Sequence, residues 1–266
     1  RVSREQGYRL TDRVLGLSGS IRFIDHLVDA AIPHMSHFTS DHGWPLYLAT
    51  LSYGAITIRH STARFNVAGI EIENSSHARV TGNLATHNAG GILVFDLPNL
   101  PVKHGGDVLV DHNLVLANDT ANFAPRGNIV ASVPTGTGVM VMANTGVDVA
   151  DNVLADNGTA QVLVVAYPKP FTDKDYAPYP HGIRVRGSNS FARGGRAPDF
   201  PGGAQLAAAF GGALPPVVWD GLSPDGKALE LEAPLAALNL NLPRQGAAPT
   251  EARPAPMRAT CDHCQP

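Results

Sequence analysis

The chain has only two cysteines in 266 residues, Cys261 and Cys264, both at the extreme end. That is too few, and too terminal, for a disulfide framework. Aromatic residues make up 6% and charged residues 16%, so neither a helical charge lattice nor a large aromatic core organises the fold. Lys and Arg number 20 against 23 Asp and Glu, and this balance leaves no nucleic-acid footprint. No apolar run approaches the ~20 residues a membrane helix needs; the longest clean one is Val162–Tyr167. The chain begins at Arg1 and shows no signal peptide, so it reads as a fragment or processed form, and that says little about export.

What is present is glycine, 27 residues, proline, 21 residues, and a repeat. Asparagines recur in pairs five apart, Asn83 and Asn88, Asn113 and Asn118, Asn152 and Asn157, in the frame x-x-N-[LV]-x-x-x-N. Short β-branched strands precede each pair. Polar residues returning beside such strands at a period of ~20–40 residues mark a solenoid. Asn suits its corners, because it tolerates left-handed backbone and its amide can bond a stacked copy of itself. The six residues form a structural ladder, and the fold class is all-β, a single-stranded solenoid of parallel strands, or β-helix, with irregular or helical caps.

Strands written G-[IV]-x-[IV] begin at Gly69, Gly91, Gly138, Gln161 (with Gln for Gly) and Gly182. Each coil adds strands such as Val108–Val110 and a third from Leu114, and Ile56–Ile58 reads as a partial earlier coil. Alternation along a strand assigns faces. Ile70, Ile72, Ile92, Val94, Val139, Val141, Val162 and Val164 point inward. Outward go Glu71 and Glu73, read as lending solubility, then Leu93 and Phe95, Met140 and Met142, Leu163 and Val165, and last Arg184 and Arg186. The six apolar residues form a strip between an acidic and a basic end. Such a strip is covered by the chain's own loops or tail, or serves as a binding surface.

Three insertions break the coils, at 96–106, 119–137 and 168–181. The first and third leave the same corner and should stand on the order of 10 Å apart, two coil spacings, framing a cleft for an extended polymer. The second is placed to fold over Met140 and Met142. Three regions follow. Residues 1–53 are an irregular N-terminal region or cap, or non-native sequence; 54–196 are the β-helix; 197–266 are a C-terminal cap with a Pro/Ala-rich strap or tail. Ile21–Ile32 has helical spacing, and Ala204–Phe210 reads as a capping helix.

The segments Ala68–Ser75, Gly90–Val102 and Asn122–Asn144, and the loop PKPFTDKDYAPYPH before Gly182, resemble the exported bacterial parallel β-helix repeat proteins across roughly Ile56–Arg196. The resemblance implies a right-handed parallel β-helix and a periplasmic, lipoprotein-anchored or secreted location. It also implies an exported partner protein, encoded beside this one, as a candidate ligand. It supplies no established activity and no catalytic residues.

Residues able to do chemistry gather in the cleft walls. Lys103, His104 and Asp107 lie on one side, and Lys169, Asp173, Lys174, Asp175 and Tyr176 on the other. Uronate elimination needs a base for the C5 proton and a cation for the carboxylate. A Lys or His base, a Tyr acid and an Asp pair for Ca²⁺ could be assembled here, although charged loop residues are more often simply solvated. Asp96 and Asp173 leave matching corners and would need a separation of ~5–9.5 Å to cleave a glycoside as a carboxylate pair. Cys261-Asp-His-Cys264 lacks a second C-x-x-C for zinc and a following His for haem. His34, His37 and His42 are a further loose cluster. Two functions are open: a carbohydrate- or partner-binding scaffold, and a lyase, epimerase or hydrolase acting on polysaccharide between loops 96–106 and 168–181. They part on whether Lys103, His104, Asp173 and Tyr176 converge on an open cleft.

Overall fold

The computed structural model describes residues 56–261. The expectations for residues 1–53, including the Ile21–Ile32 helix and the His34, His37 and His42 cluster, lie outside the described residues.

The chain winds through three strands per coil. The first coil is β1 (Ile56–Arg59), β2 (Thr62–Arg64) and β3 (Ala68–Glu73); the second is β4 (Ala78–Thr81), β5 (Leu84–Thr86) and β6 (Gly90–Phe95). The third is β7 (Gly106–Asp111), β8 (Leu114–Leu116) and β9 (Thr137–Met142), and the fourth is β10 (Thr145–Ala150), β11 (Val153–Ala155) and β12 (Ala160–Val165). The fifth holds β13 (Ile183–Val185), β14 (Ser190–Ala192) and β15 (Val217–Trp219), with a short helix α1 (Gly203–Ala209) between the last two. A final partial coil is β16 (Leu229–Leu231) and β17 (Ala236–Asn239), followed by β18 (Ala255–Arg258). Equivalent strands stack in parallel. The first sheet is β1-β4-β7-β10-β13-β16, the second β2-β5-β8-β11-β14 and the third β3-β6-β9-β12-β15-β17. The fold is a right-handed parallel β-helix.

Its interior is aliphatic. Ile70, Ile92, Val139 and Val162 align in register across the third sheet, and with Ile72, Val94, Val141 and Val164 they are fully buried in one core shared by all three sheets. β-branched residues fit this column because each packs against its copy one coil away.

The asparagines hold the register. Asn83 Nδ2 donates to Asn113 Oδ1 at 2.9 Å, Asn113 to Asn152 at 3.0 Å, and Asn152 to Asn189 at 3.0 Å. The second ladder runs Asn66, Asn88, Asn118, Asn157, with steps of 3.1, 3.0 and 2.9 Å. It ends on Gln161 Oε1 at 2.6 Å. The left-handed corner residue is not the Asn of either ladder but the one before it: His60, Gly82, His112 and Asp151 in one column, Phe65, His87, Ala117 and Asp156 in the other. So the asparagines contribute their amides rather than their backbone tolerance. Gly138 explains the repeated glycine at the start of third-sheet strands, since a β-carbon there would lie 2.9 Å from Asn157 Nδ2 and 2.4 Å from Gln161 O.

Three expectations are corrected. The helix does not stop near residue 196: β15, β16 and β17 extend the parallel sheets to Asn239, although long loops hide their period. Helix α1 forms where expected but lies inside the fifth coil. What closes the C-terminal end is β18, antiparallel to β17, which covers the open strand edge that would otherwise pair with another chain. Finally, Ile183–Val185 belongs to the first sheet, pairing with β10 and β16. Arg184 and Arg186 therefore do not end the apolar strip. They bond Asp148 at 3.3 and 2.6 Å on the first sheet's outer face, and Val218 of β15 continues the strip instead.

Candidate functional site

The two long loops leave the same corner, as their placement between β6 and β7 and between β12 and β13 requires, but they do not frame an open cleft. Lys103 Nζ reaches across to Asp173 Oδ1 at 2.7 Å and Asp175 Oδ2 at 3.4 Å, and the Asn99 N–H donates to Asp173 Oδ2 at 2.9 Å. The hydrogen bond from Lys103 holds the Asp173 carboxyl below its ordinary value and raises the ammonium in turn. Each is committed to the other. Tyr176 packs edge-on against Tyr167 and Phe171, and its hydroxyl donates to the Asp96 carbonyl at 2.7 Å. Burial and nearby Asp96 push that phenol far above its usual range, which makes it a poor proton donor. Lys169 lies apart, 3.4 Å from the Gly127 carbonyl on the second loop, and Asp107 faces His77 at 3.4 Å in an exposed pair. His104 is exposed in left-handed backbone. The structure thus brings Lys103, Asp173 and Asp175 together, as a clasp between loops, and leaves the other candidates dispersed. Among the described residues no three His, Cys, Asp or Glu side chains are grouped to hold a metal ion.

Asp96 is a pin beneath this clasp. Its carboxylate accepts from the Gly105 N–H at 2.7 Å and from Asn144 Nδ2 at 2.8 Å, and burial lifts it to about 6 against those two bonds. Asn144 is the floor of the tight turn between the loops, so the pin ties neighbouring coils together. On the same side, Glu71 lies in register with Leu93 and is fully buried, and among the described residues neither of its oxygens finds a partner. Burial, and then neighbouring Glu73, push it well above the ordinary value, while burial and Asp96 lift Glu73 to about 7. The reading of Glu71 as a solubilising residue is overturned. Strand alternation placed it outward, but outward on this sheet means covered.

The apolar strip is covered along its length. Leu93, Phe95, Met140, Met142 and Leu163 are buried, and Val165 is partly so. Val130 and Val133 of the second insertion, Tyr167 just before the third, and Leu240 from the C-terminal strap pack on them. The cover is incomplete. A cavity of about 240 Å³ remains, floored by Phe95, Met140, Met142, Leu163 and Val165. Asp220 is its one charged wall residue among the described residues.

Among the described residues the second sheet is bare by contrast. Its outward line is Leu84, Leu114 and Val153, with Leu114 44% and Val153 40% exposed. Corner columns flank it. On one side, His60 and His112 stand on either side of Gly82, which has a left-handed φ of 64° and no side chain. The result is a notch of about 290 Å³ lined by these three residues with Ser61, Thr62, Asn83, Leu84 and Leu114. On the other side, Phe65 holds a φ of 60°, unusual for a bulky residue, is 45% exposed, and stacks on His87 at 5.6 Å with a 10° tilt. His87 Nδ1 lies 2.9 Å from Asp119 Oδ1. No motif marked this site. Its signal was positional: the residue before each ladder asparagine forms a surface column.

The molecule is thus of the single-chain β-helix class, with a notch beside its second sheet and a cavity over its third. A family model described as the right handed beta helix region matches residues 45–174, just under half of the chain, so the chain carries a right-handed β-helix region with the ladder running through it. No curated protein and no solved structure matches.

Proposed function

We propose that this protein is an extracytoplasmic binding scaffold that lays a carbohydrate chain along the outer face of its second sheet. The observation that carries this reading is the His60–Gly82–His112 notch, with its apolar floor of Leu84 and Leu114. A pyranose ring has apolar C–H faces and a rim of hydroxyls. An exposed aliphatic floor suits the face, and flanking imidazole, hydroxyl and carboxylate groups suit the rim. The coils repeat at ~4.8 Å, so a stiff polymer meets similar groups at regular intervals. An extracytoplasmic location is supported by the resemblance to exported proteins. No helix among the described residues is long and apolar enough to cross a membrane.

The enzymatic reading of the 96–106 and 168–181 loops draws less support, because Lys103, Asp173 and Tyr176 spend their polar atoms on protein partners. The test is a glycan-array screen followed by calorimetry, with a uronate-lyase assay alongside. The scaffold reading expects binding without product, lost in Gly82→Asn, which keeps the left-handed backbone but fills the notch. Binding that survives Gly82→Asn would place the ligand elsewhere.

A further inference from the structure

The cavity over the third sheet is a different kind of site from the open face. Elsewhere on this sheet the loops pack closely enough to bury Leu93 fully. Between the methionines of the floor, Val133 of the second insertion and Leu240 of the strap, the packing leaves about 240 Å³. The space is about half open to solvent, so its apolar walls face water rather than other side chains, and an apolar occupant would remove that surface from water. For scale, an apolar cavity of about 150 Å³ elsewhere admits benzene. Two of the floor residues are Met, the side chain that adapts most readily to varied apolar shapes.

Among the described residues the wall carries one charged group, Asp220, and one other polar side chain, Ser132, whose hydroxyl donates to the Ile129 carbonyl at 2.6 Å. Asp220 Oδ2 accepts from the Ala166 N–H at 2.6 Å and Oδ1 from the Leu222 N–H at 3.0 Å. Those bonds fix its orientation, and each oxygen retains a second lone pair. Burial lifts its carboxyl to about 6. A carboxylate in a largely apolar wall welcomes a donor or a cation and repels an anion.

We propose that this cavity binds a compact apolar molecule of roughly 10–15 non-hydrogen atoms carrying a single N–H or O–H donor directed at Asp220. Adamantan-1-amine and adamantan-1-ol are probes of this shape, and adamantane-1-carboxylate is the matched anion. The protein carries four methionines, and ¹³C-methyl labelling gives each its own reporter. On titration the Met140 and Met142 methyl signals should shift with the amine and the alcohol while Met257, which packs on the inner core, stays still. The carboxylate should bind at least tenfold more weakly. Met140→Trp, which fills the cavity, should abolish all binding. Asp220→Asn should weaken the amine at least tenfold and narrow its margin over the carboxylate. Equal binding of the amine and the carboxylate to the wild type would overturn the directed donor. Unchanged binding to a folded Met140→Trp would overturn the cavity itself. Because glycan binding is read separately through Gly82→Asn, failure of either site is distinguishable from failure of the other.

Discussion

The outer faces of the second and third sheets have the same ancestry in the repeat and opposite fates. Both carry aliphatic side chains on alternate positions. On the third sheet every one of the three long insertions and the C-terminal strap folds back, so Met140, Met142 and Leu163 are buried. On the second sheet the corners are tight over most of the stack, and Leu114 and Val153 remain in solvent. The first sheet follows a third course, with Arg79 on Asp111 at 2.6 Å and Arg184 and Arg186 on Asp148. In a β-helix, then, the strand pattern says which side chains leave the core, and the lengths of the corners say whether they meet water.

The ladder is what both faces rest on, so its loss has the largest effect. Asn152 makes four side-chain hydrogen bonds, to Asn113 N–H and Nδ2 and to the Val110 and Asn189 oxygens. Asn152→Leu should cost about 3–5 kcal/mol, since buried partners are left unpaired, as measured by urea unfolding. An unchanged unfolding midpoint with lost ligand affinity would show that the ladder serves binding rather than structure.

The covered face has one costly feature that the open face lacks, the unpartnered Glu71. Glu71→Leu, matching Leu93 beside it, should stabilise by about 1–3 kcal/mol, read as a higher Tm. Destabilisation would mean that the carboxyl has a partner.

The same face sets the pH response. Glu71, Glu73, Asp96 and Asp220 all have folded values raised above their ordinary 4.5 or 3.8. Their stability contribution is fully present below those ordinary values and is lost as pH rises through about 6 and 7. Asp173, Asp156 and Glu251 are lowered by Lys103, Arg193 and Arg244, and they lose stability only as pH falls below the ordinary range. Tm should therefore peak near pH 4, about the ordinary carboxylate range, and decline from pH 5 toward pH 8. With Glu71→Leu and Asp220→Asn combined, the decline should flatten. A Tm that rises from pH 5 to pH 8 would contradict the assignment.

On the open face, Gly82→Asn and Leu114→Arg should leave stability within about 0.5 kcal/mol and reduce sugar affinity at least tenfold. The smallest effect belongs to the loop clasp. Tyr176→Phe removes one hydrogen bond, worth about 1 kcal/mol, and should leave glycan affinity unchanged by calorimetry.

Much of the fold was legible because the repeat carries it. Six ladder asparagines fixed the coil length, and strand alternation named the inner column from Ile70 to Val164. Reading failed where a residue's role depends on another coil. Asn189 and Gln161 extend the ladders, but neither stands in the N-x₄-N frame. Glycine followed by Ile-Arg-Val looked like a third-sheet strand at Ile183, yet an aliphatic strand of three residues reads alike on any sheet, and its pairing with β10 decided it. The cleft was placed at the right corner and was shut by a salt bridge, because the reach of Lys103 toward Asp173 is a property of loop conformation. The notch was unreadable because its key residue, Gly82, acts by having no side chain.

The most direct test is calorimetric titration of the best array glycan into wild type, Gly82→Asn, and the double variant Lys103→Ala/Tyr176→Phe, with product release followed in the same cell. A binding scaffold on the second sheet predicts saturable heat and no product for wild type, the same for the double variant, and loss of binding for Gly82→Asn. Product formation by wild type that disappears in the double variant would contradict it and place an active site at the loops.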